Sequence, residues 1–278
     1  MIDRKQRDIA CVPVEPGRSF VYTEGWQSWS SVGTLPATAC PDRASAPMSV
    51  VTDCQYAAAA PDGVHQGSGL LAIDPGDGEP VSAGTVGGQP CTALDITHPA
   101  AAQYLVGALG TMRDCGVGYF TTDCMYAGAA EGRRHEDVTG VVAYRRALQL
   151  IRDAIGPQAL LVSGGAPVLP SVGLVDAMRV GPYTAAGSEP AGGSPSWPSP
   201  WAAARNSMAR AWQQGRFWVN DTGCLMAQPG VERRADWAAL VEQFGGLRSS
   251  GDALRRLDGW GLETTRRLLV PSPTGPVV

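Results

Sequence analysis

Val-Gly-Tyr-Phe-Thr-Thr-Asp-Cys-Met-Tyr-Ala-Gly, residues 117–128, reads as a short buried strand around Tyr119 and Phe120 that ends on a single carboxylate, Asp123. A glycine-rich turn follows, and then a helix. In parallel α/β folds the loops at the C-terminal strand ends converge on one face, and chemistry sits there. An acid at that point is a candidate nucleophile or base. It is equally readable as a helix N-cap or a salt-bridged surface acid, and spacing alone leaves both open.

Downstream of this stretch, strand and helix alternate at regular spacing. A helix is predicted from about Val138 to Ile155, closed by Gly156, with Val142, Ala147, Leu150 and Ile151 on its buried side. A strand over Ala159–Ser163 runs into Gly164-Gly-Ala-Pro167. Another over Leu174–Val180 carries Arg179 at its end, and a loop rich in Gly, Ser and Pro follows. Ser199-Pro200 caps a helix reaching about Gln214, and a strand over Arg216–Asn220 ends in Asp221. A helix over Val231–Gln243, a short strand within 245–252 and two helical turns, near Ala253–Leu257 and Leu262–Leu269, complete the series. This alternation predicts a parallel sheet with right-handed crossovers.

Upstream, Pro99 fits the first position of a helix running to about Cys115, with His98 as a boundary residue. Residues 69–92 are rich in glycine and read as a linker or surface loop. Residues 1–68 show short apolar runs (Ile9–Val14, Phe20–Tyr22, Met48–Val51) broken by Pro, Gly and Asp, a β-type pattern. Trp26 and Trp29 within it could stack on sugar faces or plug a small core. The organisation expected is therefore a β-rich segment (1–68), a linker (69–92) and an α/β unit (93–278).

At 278 residues, 44% hydrophobic content and net charge −4, the chain has the composition of a globular protein without a basic stripe for nucleic acid. No apolar run approaches a membrane span, and the charged start lacks an apolar signal region. Seven scattered cysteines without a CxxC pair, and three histidines, argue for reduced thiols, a cytoplasmic setting and no zinc. Neither a dinucleotide fingerprint nor a phosphate loop is present, so no cofactor is implied.

In series, Gly25-Trp-Gln-Ser-Trp29, Leu94-Asp-Ile-Thr-His-Pro99, Gly118-Tyr-Phe-Thr-Thr-Asp123, Gly165-Ala-Pro167, Gly173-Leu-Val-Asp-Ala-Met-Arg179 with Gly181-Pro182, and Phe217-Trp-Val-Asn-Asp221 resemble the melibiase group of α-galactosidases, glycoside hydrolase family 36. The resemblance implies a (β/α)8 barrel between flanking β-domains, cleaving terminal α-galactosides with retention by means of two carboxylates. It makes Asp123 the nucleophile and position 183 the acid/base. It also puts Thr121, Gly164, Gly165, Arg179 and Asp221 around the sugar.

The chain departs from that pattern in the pocket. Tyr183 stands where the family has aspartate, Thr121 where it has lysine, and Gly164 where it has cysteine. Thr222-Gly-Cys224 replaces Pro-Asp-Cys, and Ser250-Gly-Asp252 replaces Ser-Asp-Asp. The motifs of the first three barrel strands have no counterpart, and a complete barrel takes about 250 residues. A partial barrel of about five parallel strands is expected, with open edges that invite pairing with a second copy of the chain. The function expected is an attenuated α-galactosidase. The alternatives are a non-catalytic descendant that binds a sugar or a protein, and a deletion fragment.

Overall fold

The computed structural model describes residues 49–52, 56–58, 72–86, 89–114, 116–122, 125–182, 184 and 199–269. Its centre is a parallel sheet in the order β1 (Ser49–Thr52), β5 (Tyr119–Thr122), β6 (Leu160–Ser163), β7 (Ala177–Arg179) and β8 (Val219–Asp221). Beyond β8 the wall continues as single parallel bridges, Asp221 with Leu247 and Leu225 with Ser250. The short strand expected within 245–252 is reduced to these bridges. The result is a partial α/β barrel.

Helices cover the outer face because their sequences start, stop and repeat accordingly. α1 (Pro99–Asp114) begins on proline, whose missing N–H costs nothing at a first turn, and buries Ala101, Leu105 and Leu109. α2 (Gly140–Ile155) is capped by Thr139, whose Oγ1 accepts the Val142 N–H at 3.4 Å, and ends at Gly156 with φ 84°. α3 (Pro200–Ala209) is capped by Ser199, whose Oγ accepts the Ala202 N–H at 3.1 Å. α4 (Arg234–Phe244) and α5 (Gly259–Leu269) follow β8. Between β6 and β7 the crossover holds only a 3₁₀ turn, Leu169–Ser171.

The phase of α2 differs from the sequence reading. Ala143, Tyr144, Ala147, Leu148, Ile151, Ala154 and Ile155 face the core, whereas Val142 is 40% exposed. Tyr144 takes the inward place because its hydroxyl finds a buried partner, which apolar periodicity cannot anticipate. The core joins this face to Leu105, Leu109, Phe120, Leu161, Met178, Val180 and Trp218. Along β5 burial alternates: Phe120 and Thr122 are fully covered, while Tyr119 and Thr121 on the other face are partly open. One face of the strand lies under helices, and the other lines the inside of the incomplete ring.

The stretch read as a linker contains strand. β3 (Ser82–Val86) and β4 (Gln89–Ala93) pair antiparallel, and β2 (Tyr56–Ala58) pairs with β4 on its other side. Small residues in Ser-Ala-Gly-Thr-Val hide the strand signal, because no large apolar side chains alternate there. This small sheet meets the barrel through Ala72, Val81, Ala93 and Ala127. Met48–Val51, read as one of the β-rich runs, contributes to β1, which joins the parallel sheet beside β5. Gly140 permits the close join between the turn after β5 and α2, since a Cβ there would lie 2.2 Å from the Ala129 carbonyl oxygen.

Two further contacts pin α1 to α2. Asp95, fully buried, accepts the His135 N–H at 2.6 Å, and the Thr97 hydroxyl accepts the Glu136 N–H at 3.1 Å. At the opposite ends of the helices, Arg113 donates to the Ala154 carbonyl at 2.7 Å. His98, expected at a boundary, accepts the Ala100 N–H on Nδ1 at 3.2 Å and acts as a local cap.

Candidate active site

Thr121, Gly164, Gly165, Arg179 and Asp221 all fall at or just beyond the C-terminal ends of β5–β8. The parallel register brings them to one edge of the sheet. Thr121 pairs with Val162, and Arg179 pairs with Asp221. Asp123 and Tyr183 lie outside the described residues, as do Trp26 and Trp29.

The best-defined feature is the pair across β7 and β8. Arg179 Nε donates to Asp221 Oδ2 at 2.8 Å, and Asp221 Oδ1 accepts the Gly223 N–H at 2.9 Å. The Asp221 side chain is 6% exposed and that of Arg179 21%. Both carboxylate oxygens are thus engaged, so Asp221 fixes the guanidinium rather than offering a free acid or base. A mostly buried arginine oriented through Nε by a carboxylate is suited to holding a hydroxyl or a developing negative charge.

The turn after β6 is anchored to the end of β5. The Gly164 N–H donates to the Thr122 carbonyl at 2.7 Å, and the Gly165 carbonyl accepts the Tyr126 N–H at 2.9 Å. Gly165 adopts φ 50°, a left-handed conformation that glycine takes without a steric penalty. Tyr126 is 60% exposed just past position 123, an aromatic face at the rim.

Under this edge lies a group of hydroxyls that sequence reading missed. Tyr144 Oη and Ser171 Oγ are 2.5 Å apart, Ser171 Oγ donates to the Pro167 carbonyl at 2.7 Å, and Thr122 Oγ1 lies 3.2 Å from Ser163 Oγ. Burial pushes the Tyr144 phenol above its ordinary range, so it stays protonated. The available signal was serine and threonine at the strand end and in the following turn, which only the fold brings together. Among the described residues no cluster of three or more His, Cys, Asp or Glu could hold a metal ion, and no helix is long and apolar enough to cross a membrane.

With this geometry the fold is α-galactosidase-like. The chain is similar to the α-galactosidase of Thermus thermophilus solved with stachyose, at 26% identity and TM-score 0.68 over 78% of this chain and 48% of that one. Against the same enzyme with p-nitrophenyl α-D-galactopyranoside the identity is 24% and the TM-score 0.71, covering 81% and 47%. The isomalto-dextranase of Arthrobacter globiformis, complexed with panose, shares the fold at 16% identity and TM-score 0.53, covering 79% and 41%. The chain spans about half the length of the α-galactosidase it matches. It matches no protein-family model.

Proposed function

We propose that this chain is a retaining, family-36-type glycoside hydrolase acting on terminal α-galactosides, attenuated by Tyr183 at the acid/base position. The observation that carries the reading is the Arg179–Asp221 pair at the same edge of the sheet as the end of β5, the strand that leads into Asp123. The likeness to an α-galactosidase solved with two galactosides supports the substrate class.

In this reading the Asp123 carboxylate attacks the anomeric carbon as the bond to the leaving oxygen breaks. Water then attacks the glycosyl–enzyme ester, gives its proton to solvent and releases the sugar with retained configuration, regenerating the Asp123 carboxylate. Arg179 steadies a sugar hydroxyl or the group at 183. Tyr183 can donate a proton but is a poor base at neutral pH, because an unperturbed phenol titrates near about 10. Asp221 cannot replace the missing acid while it is committed to Arg179 and Gly223. No cofactor enters, and open barrel edges leave room for association with a second copy of the chain. The scattered cysteines fit a reducing, cytoplasmic compartment.

Hydrolysis of an aryl α-galactoside by purified protein tests the reading, with Asp123→Asn as its control. Turnover lost in the variant supports it; turnover retained removes Asp123 from the nucleophile's role. A second reading, sugar binding without catalysis, is favoured by Thr121 and Tyr183 in place of the family's lysine and aspartate. Calorimetric binding of galactose or melibiose without turnover would select it.

A further inference from the structure

Four buried hydroxyls lie behind the turn that the functional reading places beside the sugar. Thr122, Tyr144, Ser163 and Ser171 are each fully covered. Their protons can be ordered from one end. Ser171 gives its proton to the Pro167 carbonyl, so in the 2.5 Å contact with Tyr144 the phenol must be the donor. The Tyr144 proton is thereby committed to Ser171. At the strand end, Thr122 donates to Ser163 at 3.2 Å and to the Val162 carbonyl at 3.4 Å. The phenol on α2 therefore donates to Ser171, which in turn donates to the carbonyl of Pro167.

We propose that Tyr144 is a positioning residue, which through Ser171 fixes the end of the Gly164–Pro167 turn. The turn is held from two sides. Backbone bonds from Gly164 to Thr122 and from Tyr126 to Gly165 secure its start. The Ser171–Tyr144 pair secures its end, and Arg145 braces the next stretch by donating to the Pro170 carbonyl at 2.5 Å. Tyr144 touches no substrate; it acts through the turn. That the turn serves a galactoside rests on the functional reading above, whereas the restraint itself does not.

The test replaces only the phenol oxygen. In Tyr144→Phe the Gly164 and Tyr126 amides should exchange with deuterium about fivefold faster or more than in the parent, the scale of one lost hydrogen bond. Ile151→Val, a core trim on the same helix, serves as the control for a general loss of stability and should accelerate those two amides no more than the amides of α2. Ser171→Ala removes the link between the phenol and the Pro167 carbonyl and should accelerate the same amides, which decides the matter if the first variant folds poorly. Gly164 and Tyr126 exchanging no faster in either variant than in the control would overturn the positioning role. If the parent turns over an aryl galactoside, Tyr144→Phe should raise KM about fivefold while kcat stays within about twofold; equal losses in both would also overturn it. A parent that binds no galactoside, with exchange still accelerated, overturns the sugar assignment and leaves the restraint standing.

Discussion

Arg179 and Asp221 occupy paired positions on neighbouring parallel strands, and their side chains meet with Nε 2.8 Å from Oδ2. The backbone register sets this contact, because residues opposite each other on adjacent strands project to the same face. The Gly223 amide completes the carboxylate's bonding.

Asp221→Asn removes the counter-charge while keeping the shape. It should lower stability by about 1–3 kcal/mol, the usual cost of losing a charge-assisted bond at a mostly buried site. The midpoint of urea unfolding, with the slope unchanged, measures it. A midpoint equal to the parent's would mean that the pair contributes nothing.

Gly140→Ala forces a methyl to within 2.2 Å of the Ala129 carbonyl oxygen. The close atoms are all backbone of Ala129 and Ala130, which leaves little room to relax, so a loss of about 2–3 kcal/mol is expected. Thermal unfolding reads this directly. Gly110→Ala, where the nearest atom is the end of the Arg113 side chain at 4.0 Å, should be neutral or stabilising.

Catalysis, if Tyr183 is the weak acid, should depend strongly on the leaving group. Nitrophenyl galactosides should be cleaved far faster than alkyl ones, and Tyr183→Asp should raise kcat/KM for the alkyl substrates by about 10²–10⁴, the usual worth of general acid assistance. Equal rates across leaving groups would show that protonation is already provided.

Asp258 gives a pH dependence of known sign. Its carboxyl lies below the ordinary value, first because Arg234 donates to it at 2.7 Å and next because the Gly261 N–H caps against it at 2.8 Å. A depressed carboxylate stabilises the fold at pH values above its unfolded value, near 3.8, and loses that contribution as pH falls through its folded value. The stability gap between the parent and Asp258→Asn should therefore hold at neutral pH and close below about pH 4. A gap that is constant from pH 7 to pH 3 would contradict the pairing.

Local chemistry made much of the fold legible in the sequence. Pro99, Gly156 and Ser199-Pro200 punctuate α1, α2 and α3 as their side chains and φ preferences demand, whereas sequence reading missed the Thr139 cap of α2. Arg179 and Asp221 were each identifiable as strand-end residues, but their contact depends on register between segments 42 residues apart. The β3–β4 pairing escaped notice because β3 is built of small residues and β4 carries Pro90, and the partner of β1 lies far along the chain. Tyr144 escaped for another reason: a phenol counts as amphipathic until the hydroxyl that receives it is known.

The links between α1 and α2 at both ends of the pair also bear on how the chain reaches its shape. Asp95 with His135, Thr97 with Glu136, and Arg113 with Ala154 all join groups about forty positions apart, and β5 lies between the two helices in sequence. Pieces so near along the chain meet at modest entropic cost, ahead of any encounter with β1 or β8. On loop length alone, residues 95–163 are expected to assemble first and to give the remaining strands an edge to join.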